Sequence, residues 1–316
     1  MATVLFGHAA CLGHVTPPGH PERVARLEAV AEALARFDAL DRREAPLAER
    51  GELLRCHPES YVAEIEASIP ASGSRALDAD THVMAGSLEA ALRAVGAVGA
   101  AVDAVMAGAV ANAFCAVRPP GHHAERETPM GFCLFGSVAI GAKRALEVHG
   151  LERVAVVDFD VHHGNGTQDL LWDEGRALFV SSHQMPLWPG TGAQHEAGAH
   201  GNVMNVPLPP GTAGAGFRRA YETQVFPALR AFAPQMVLIS AGFDAHADDP
   251  LAQLGLREAD FAWVTKQLCD IADATAAGAL GPGRVVSVLE GGYDLAALAA
   301  SAAAHVEVLV ERGQRG

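Results

Sequence analysis

Short apolar runs alternate with longer amphipathic stretches along most of the chain. The runs fall at residues 3–7, 112–118, 153–160, 177–182, 203–208, 236–241 and 284–289, and they are rich in β-branched side chains. Ala- and Leu-rich segments with helical periodicity occupy 22–38, 86–108, 136–149, 217–232 and 258–279, with a last one at 294–312. Unbroken apolar runs are what strands buried on both faces look like, and their alternation with helices predicts βαβ units. The expected fold is α/β: a mostly parallel central sheet with helices on both faces. No linker, repeat or low-complexity tract interrupts residues 1–316, so one domain is expected.

Polar residues sit where the apolar runs stop. Val154–Asp158, Met236–Asp244 and Val285–Tyr293 each end in a group able to do chemistry, and 112–118 leads into Arg118-Pro-Pro-Gly-His122-His123. Open α/β sheets bind ligands outside the carboxyl ends of their strands, so four segments are expected to deliver Asp, His and Tyr to one rim.

The densest segment is Asp158-Phe-Asp160-Val-His162-His163. In extended chain, residues two apart share a face, so Asp160 and His162 can reach one ion, with Asp158 a step deeper and His163 facing the other way. The plain alternative is a strand end with solvated polar groups. Asp244, at another strand end, is the best third ligand. Three N/O ligands with an open position describe a catalytic zinc site, whereas a structural site is closed and usually thiolate-rich. Such a metal polarises a carbonyl and lowers the pKa of water toward about 7.

One of His122 and His123, held by a Pro-Pro-Gly turn, suits a general base that later acts as an acid; as a pair they also fit ordinary loop histidines. Tyr293, after Gly291-Gly292, suits either an oxyanion donor or a core residue. Gly164-Asn-Gly166 lacks a third glycine and follows histidines, which argues against a dinucleotide loop.

Composition narrows the partners. Hydrophobic residues make up 50% and charged residues 19%, enough for a large core and against disorder. The net charge of −14, with no Lys/Arg cluster, argues against nucleic-acid binding and leaves electrostatic steering of a cationic substrate open. The most apolar stretch, 88–111, holds Glu89, Arg93 and Asp103 and reads as a packed helix rather than a membrane span. Five scattered cysteines without a CxxC, and a beginning that reaches His8 without a basic region, point to a cytoplasmic protein.

Five motifs, in order, carry a resemblance. Arg118-Pro-Pro-Gly-His-His-Ala124, Gly131-Phe-Cys-Leu-Phe135, Asp158-Phe-Asp-Val-His-His-Gly-Asn-Gly-Thr-Gln168, Ser240-Ala-Gly-Phe-Asp-Ala-His246 and Glu290-Gly-Gly-Tyr293 resemble the zinc-dependent histone deacetylases, most of all class II members and bacterial deacetylase-like amidohydrolases. The resemblance implies the arginase–deacetylase fold and hydrolysis of an N-acylated amine such as acyl-lysine. It implies Asp160, His162 and Asp244 as ligands of zinc, or of iron(II) in its place. It further implies His123 as base and acid, His122 as its electrostatic neighbour, Asp158 and Asn165 as their partners, and Tyr293 as the group that polarises the carbonyl. Phe132 and Trp188 match the walls of a substrate tunnel, with Gly131, Gly292 and Leu251 beside them. A structural potassium ion is implied near Asp158, Asp160, His162, Ser181 and Ser182.

Leu251 replaces the rim glutamate expected of a polyamine enzyme, and Gly136 stands where an asparagine is common. Three alternatives remain: an acetylpolyamine or other small-amide deacetylase, a two-manganese ureohydrolase using Asp244-Ala-His-Ala-Asp248, and a non-catalytic binder of acylated ligands. The acyl chain, the amine partner and the oligomeric state, a homo-oligomer included, stay open.

Overall fold

The computed structural model of the protein describes residues 1–275 and 283–315. Eight strands form one sheet: β1 (Thr3–Gly7), β2 (Leu40–Glu44), β5 (Asn112–Cys115), β6 (Val154–Asp158), β7 (Ala177–Gln184), β8 (Val203–Leu208), β9 (Met236–Ala241) and β10 (Val285–Leu289). Their order is β2-β1-β5-β10-β9-β6-β7-β8, and every neighbouring pair is parallel. A separate antiparallel hairpin joins β3 (Ser74–Ala76) to β4 (His82–Met84).

The central strands are apolar because both faces are covered. Val154–Asp158 and Met236–Ala241 are buried along their whole length. The helices Ser87–Met106 and Ser137–Glu147 pack together over β5, β6, β9 and β10. Val24–Leu34, Glu258–Thr275 and Leu295–Arg315 form a second group, with the last helix packed against the other two. The segment 214–232 is helical but contains a π turn at Tyr221–Val225, just before Pro227, whose missing N–H and bulky ring oppose regular helix there.

The main departures from expectation lie at strand ends and in charged segments. The apolar run 153–160 stops as a strand at Asp158, so Asp160 and His162 sit in the loop beyond it. Strand β2, Leu-Asp-Arg-Arg-Glu, escapes the pattern because only Leu40 is buried on this edge strand. The helices Arg50–Leu53, Glu59–Ser68 and Asn165–Leu171 also lacked a long apolar signal. Residues 276–279 of the expected 258–279 helix lie outside the described residues. No helix among the described residues is long and apolar enough to cross a membrane.

Candidate metal centre

Five adjacent strands, β5-β10-β9-β6-β7, deliver their following loops to one place. Asp158 ends β6 level with Ser240 and Ser181, so the loops after these strands start together. Beyond Asp158 the chain turns in steps of two. Asp158 Oδ1 accepts the Asp160 N–H at 3.0 Å, and Asp160 Oδ1 accepts the His162 N–H at 2.9 Å. This succession keeps residues 158, 160 and 162 on one side without a strand. Asp244 arrives from the loop after β9 and is anchored through Oδ1, which accepts the Val161 N–H at 2.8 Å.

Asp160, His162 and Asp244 offer ligand atoms that all lie within 4.8 Å of one another. His162 Nδ1 is 3.2 Å from Asp160 Oδ1 and 3.0 Å from Asp244 Oδ2. Burial opposes charge on His162, yet the two aspartates lift it to about 10. Burial and the Asp160 charge push Asp244 up to about 7. A buried cluster that draws protons this strongly calls for positive charge at its centre.

Two glycines make room for the carboxylates. A Cβ on Gly291 would fall 2.2 Å from Asp244 Oδ2 and 2.5 Å from Asp160 Oδ2, and one on Gly242 would fall 2.0 Å from Asp160 Oδ2. Gly291 instead gives its N–H to Asp160 Oδ2 at 2.8 Å.

His122 and His123 come from the loop after β5, their ring centroids 3.9 Å apart. His122 Nδ1 pairs with Asp158 Oδ2 at 2.9 Å, and His123 Nδ1 with Asn165 Oδ1 at 2.8 Å. Their proton affinities diverge. Burial lowers His122, but Asp160 and Asp158 overcome it and raise it well above the ordinary histidine value. Burial lowers His123, the charges of His122 and His162 lower it further, and the neutral Asn165 gives back little. At neutral pH His122 is therefore charged and His123 is not.

Above this floor lies a cavity of about 370 Å³, lined by His123, His162, Tyr293, Gly131, Phe132, Leu187, Trp188 and Leu251, with His20, Pro21, Ala79, Asp80 and His82 around it. The Trp188 ring meets His123 edge-on at 4.8 Å between centroids, and Phe132 meets Tyr293 at 5.9 Å. Gly131 and Phe132 both hold positive φ, 55° and 70°. A Cβ on Gly131 would strike the His123 ring at 2.4 Å and Trp188 at 2.7 Å, so only glycine lets these two rings come this close. Burial and the nearby Asp244 charge raise the Tyr293 phenol well above its usual value, so it keeps its proton. A larger hollow of about 440 Å³ lies by β1, β2 and the helix Val24–Leu34. It gathers none of the candidate catalytic residues.

Beneath the floor is a network that the sequence did not reveal. Arg26 gives hydrogen bonds to the carbonyls of Gly292 and Glu290, and its guanidinium lies 5.0 Å from the Tyr293 ring centroid. Glu22 accepts from Arg26 at 2.8 Å and from Arg118 at 2.6 Å. Glu290 Oε2 accepts the Gly121 N–H at 2.7 Å, which ties the histidine loop to the tyrosine loop. Asp249 accepts the Tyr293 N–H at 2.7 Å. On an amphipathic helix an arginine reads as part of the solvated face; only the fold shows Arg26 fully buried beside Leu27 and Val30.

His163 turns away, to Thr191 and Gln168, as expected. Ser181 lies level with Asp158, and Ser182 Oγ is 3.5 Å from the Asp158 carbonyl and 2.8 Å from the Tyr221 hydroxyl. The Asp244-Ala-His-Ala-Asp248 pattern does not converge. His246 Nδ1 accepts the Asp248 N–H, and Asp248 pairs with Arg257 at the surface.

The sequence profile described as "Histone deacetylase domain" matches residues 20–309. The chain belongs to the histone deacetylase family. It is similar to the histone deacetylase-like amidohydrolase of Pseudomonas aeruginosa, 40% identical over 291 residues, covering 89% of this chain and 75% of that one. It is also similar to chloroplastic histone deacetylase 10 of Oryza sativa subsp. japonica, at 35% identity over 96% of this chain and 72% of the relative. The crystal structure of the HDA15 HD domain superposes with a TM-score of 0.91 at 33% identity, covering 98% of this chain and 89% of that one. The arginase–deacetylase fold is thus that of the family, and membership supports a deacetylase or amidohydrolase.

Proposed function

We propose that this protein removes an acyl group, acetyl in the simplest case, from an N-acylated amine such as acyl-lysine, with one zinc ion held by Asp160, His162 and Asp244. The observation that carries the reading is the meeting of an aspartate–histidine–aspartate set with neutral His123 and charged His122 at the foot of an aromatic-walled cavity. The residues fit the metal: two carboxylate oxygens and one imidazole nitrogen are a catalytic zinc donor set, and Gly291 and Gly242 keep the space around them clear. Zinc bound there supplies Lewis-acid polarisation of the amide carbonyl and activation of water.

The chain's own residues do the rest. With Nδ1 bonded to Asn165, His123 presents the lone pair of Nε2 to the cavity, takes a proton from water and returns it to the leaving amine. His122, held by Asp158, keeps its proton and steadies the negative charge that develops. Tyr293 donates its phenolic hydrogen to the carbonyl oxygen, and Gly292 gives that loop its turn. Phe132 and Trp188 flank the methylenes of the substrate, whose burial contributes about 0.8 kcal/mol each.

Leu251 adds no negative charge at the rim, which favours acyl-lysine-like substrates over acetylpolyamines. A potassium ion near Asp158, Asp160, His162, Ser181 and Ser182 is part of this reading, supported by the level placement of Asp158 and Ser181. So is a cytoplasmic protein that binds neither nucleic acid nor membrane.

Zinc-loaded protein should hold one metal per chain, hydrolyse a fluorogenic acetyl-lysine amide and be blocked by a hydroxamate. A panel of longer acyl-lysines and acetylpolyamines then orders the substrates. Tyr293→Phe should lower kcat by roughly 10²–10³ with little change in KM. Two ions per chain, or full activity in Tyr293→Phe, would sink the reading.

A further inference from the structure

His82 takes no part in the chemistry described so far. It opens β4, lines the cavity and meets His20 edge-on at 5.7 Å between ring centroids. His20 in turn packs on Phe132 at 4.8 Å, which places His82 a ring outward from the tunnel wall. The two histidines differ in one respect. His20 uses both nitrogens, Nδ1 with the main chain of Glu22 at 3.1 Å and Nε2 with the Asp80 carbonyl at 2.9 Å. His82 Nδ1 is buried with no partner, and Nε2 makes no hydrogen bond among the described residues.

That contrast leaves Nε2 as the His82 nitrogen open to a ligand. An N–H buried without an acceptor is rarer and costlier than a buried lone pair without a donor. A neutral ring that leaves the closed-off Nδ1 bare carries its hydrogen on Nε2. A ring so arranged can offer one N–H donor to the cavity that it lines. Leu187 and Leu251, which line the same cavity, have no polar side-chain atom, so the polar groups beside His82 in the lining are Asp80 and His20.

We propose that His82 is a specificity-determining residue, whose Nε2–H donates to a carbonyl oxygen on the amine side of the substrate. It thereby selects acylated amines that carry a flanking amide, as in a peptide, over plain N-acylalkylamines. The inference rests on the amidohydrolase reading above.

The test compares two acetamides with matched runs of four methylenes: doubly amide-capped acetyl-lysine and N-acetylpentylamine. His82→Phe keeps a ring and removes the donor, while His82→Gln returns an N–H to about the place of Nε2. In the zinc-loaded enzyme, His82→Phe should lower the ratio of kcat/KM for the capped over the alkyl substrate about five- to tenfold, carried by KM, and His82→Gln should restore most of it. Calorimetry with amide-capped and uncapped hydroxamates should show the same ratio of affinities without turnover. An unmoved ratio in His82→Phe, or a loss carried by kcat for both substrates, overturns the proposal. If wild type neither hydrolyses the acetamides nor binds the hydroxamates, the amidohydrolase reading has failed first, and this inference falls with it.

Discussion

At the scale of single residues, the site works by giving identical side chains different surroundings. His122 faces two aspartates and His123 faces an asparagine amide, so one imidazole holds its proton and its neighbour does not. With His123 as the proposed base, the acid limb of kcat/KM should then lie below the ordinary histidine range, because a base acts deprotonated and burial depresses its pKa. Asn165→Asp places a negative charge on Nδ1 and stabilises the protonated ring. The acid limb should move to higher pH, which a pH–rate profile of the two proteins will show. An unmoved limb would mean that the partner of Nδ1 does not tune the base. Asp160, His162, Asp244, His122, His123 and Tyr293 were legible because their residue types and spacing are those of metal and proton-transfer chemistry. Arg26 and Glu22 were not, since no periodic signal separates a buried ion pair from a surface one.

At the scale of elements, the sequence reported what was buried and missed what was not. β6, β9 and β10 stood out because each is an apolar run covered on both sides. The edge strand β2 and the β3–β4 hairpin bury too few side chains to leave a pattern, although the hairpin carries His82 to the cavity. The loops beyond the strand ends meet at one rim for a partly different reason than the sequence suggests. Asp160 and His162 share a side through successive side-chain-to-backbone hydrogen bonds, not through extended strand. The loop after β10 has its own requirement, since the Gly291 Cα faces the Asp160 and Asp244 carboxylates. Gly291→Ala should displace Asp160 or Asp244, lowering bound zinc per chain and activity together while leaving the circular dichroism spectrum intact. Full zinc occupancy in that variant would show that the loop yields without cost to the site.

At the scale of the whole molecule, the histidine content sets a limit on acid stability. His14, His57 and His183 are held at about 4, and His163 and His305 at about 3, in each case chiefly by burial. Each binds a proton in the unfolded chain near 6.5 but stays neutral in the folded one. Their contribution to stability is thus complete above 6.5 and is lost as pH falls toward 4, at up to about 1.4 kcal/mol per pH unit for each group. Glu290 and Asp244 oppose two of them: burial lifts both to about 7, so between 7 and the ordinary carboxylate range the folded state takes up protons that the unfolded state does not. His122 is protonated in both states below 6.5 and adds no slope. Below 4.5 a further loss begins at Glu22: burial alone would raise its carboxyl, but Arg118 and Arg26 outweigh it and hold the folded value at about 2. The balance is a protein whose unfolding midpoint in urea should drop progressively from pH 7 through 6 to 5, because the five histidines outnumber the two raised carboxylates. His305→Gln removes one buried imidazole, at Thr265 and Ser287 and far from the metal ligands in sequence, and should make that dependence shallower. A midpoint flat from pH 7 to 5 would mean that these rings take up protons while the protein stays folded.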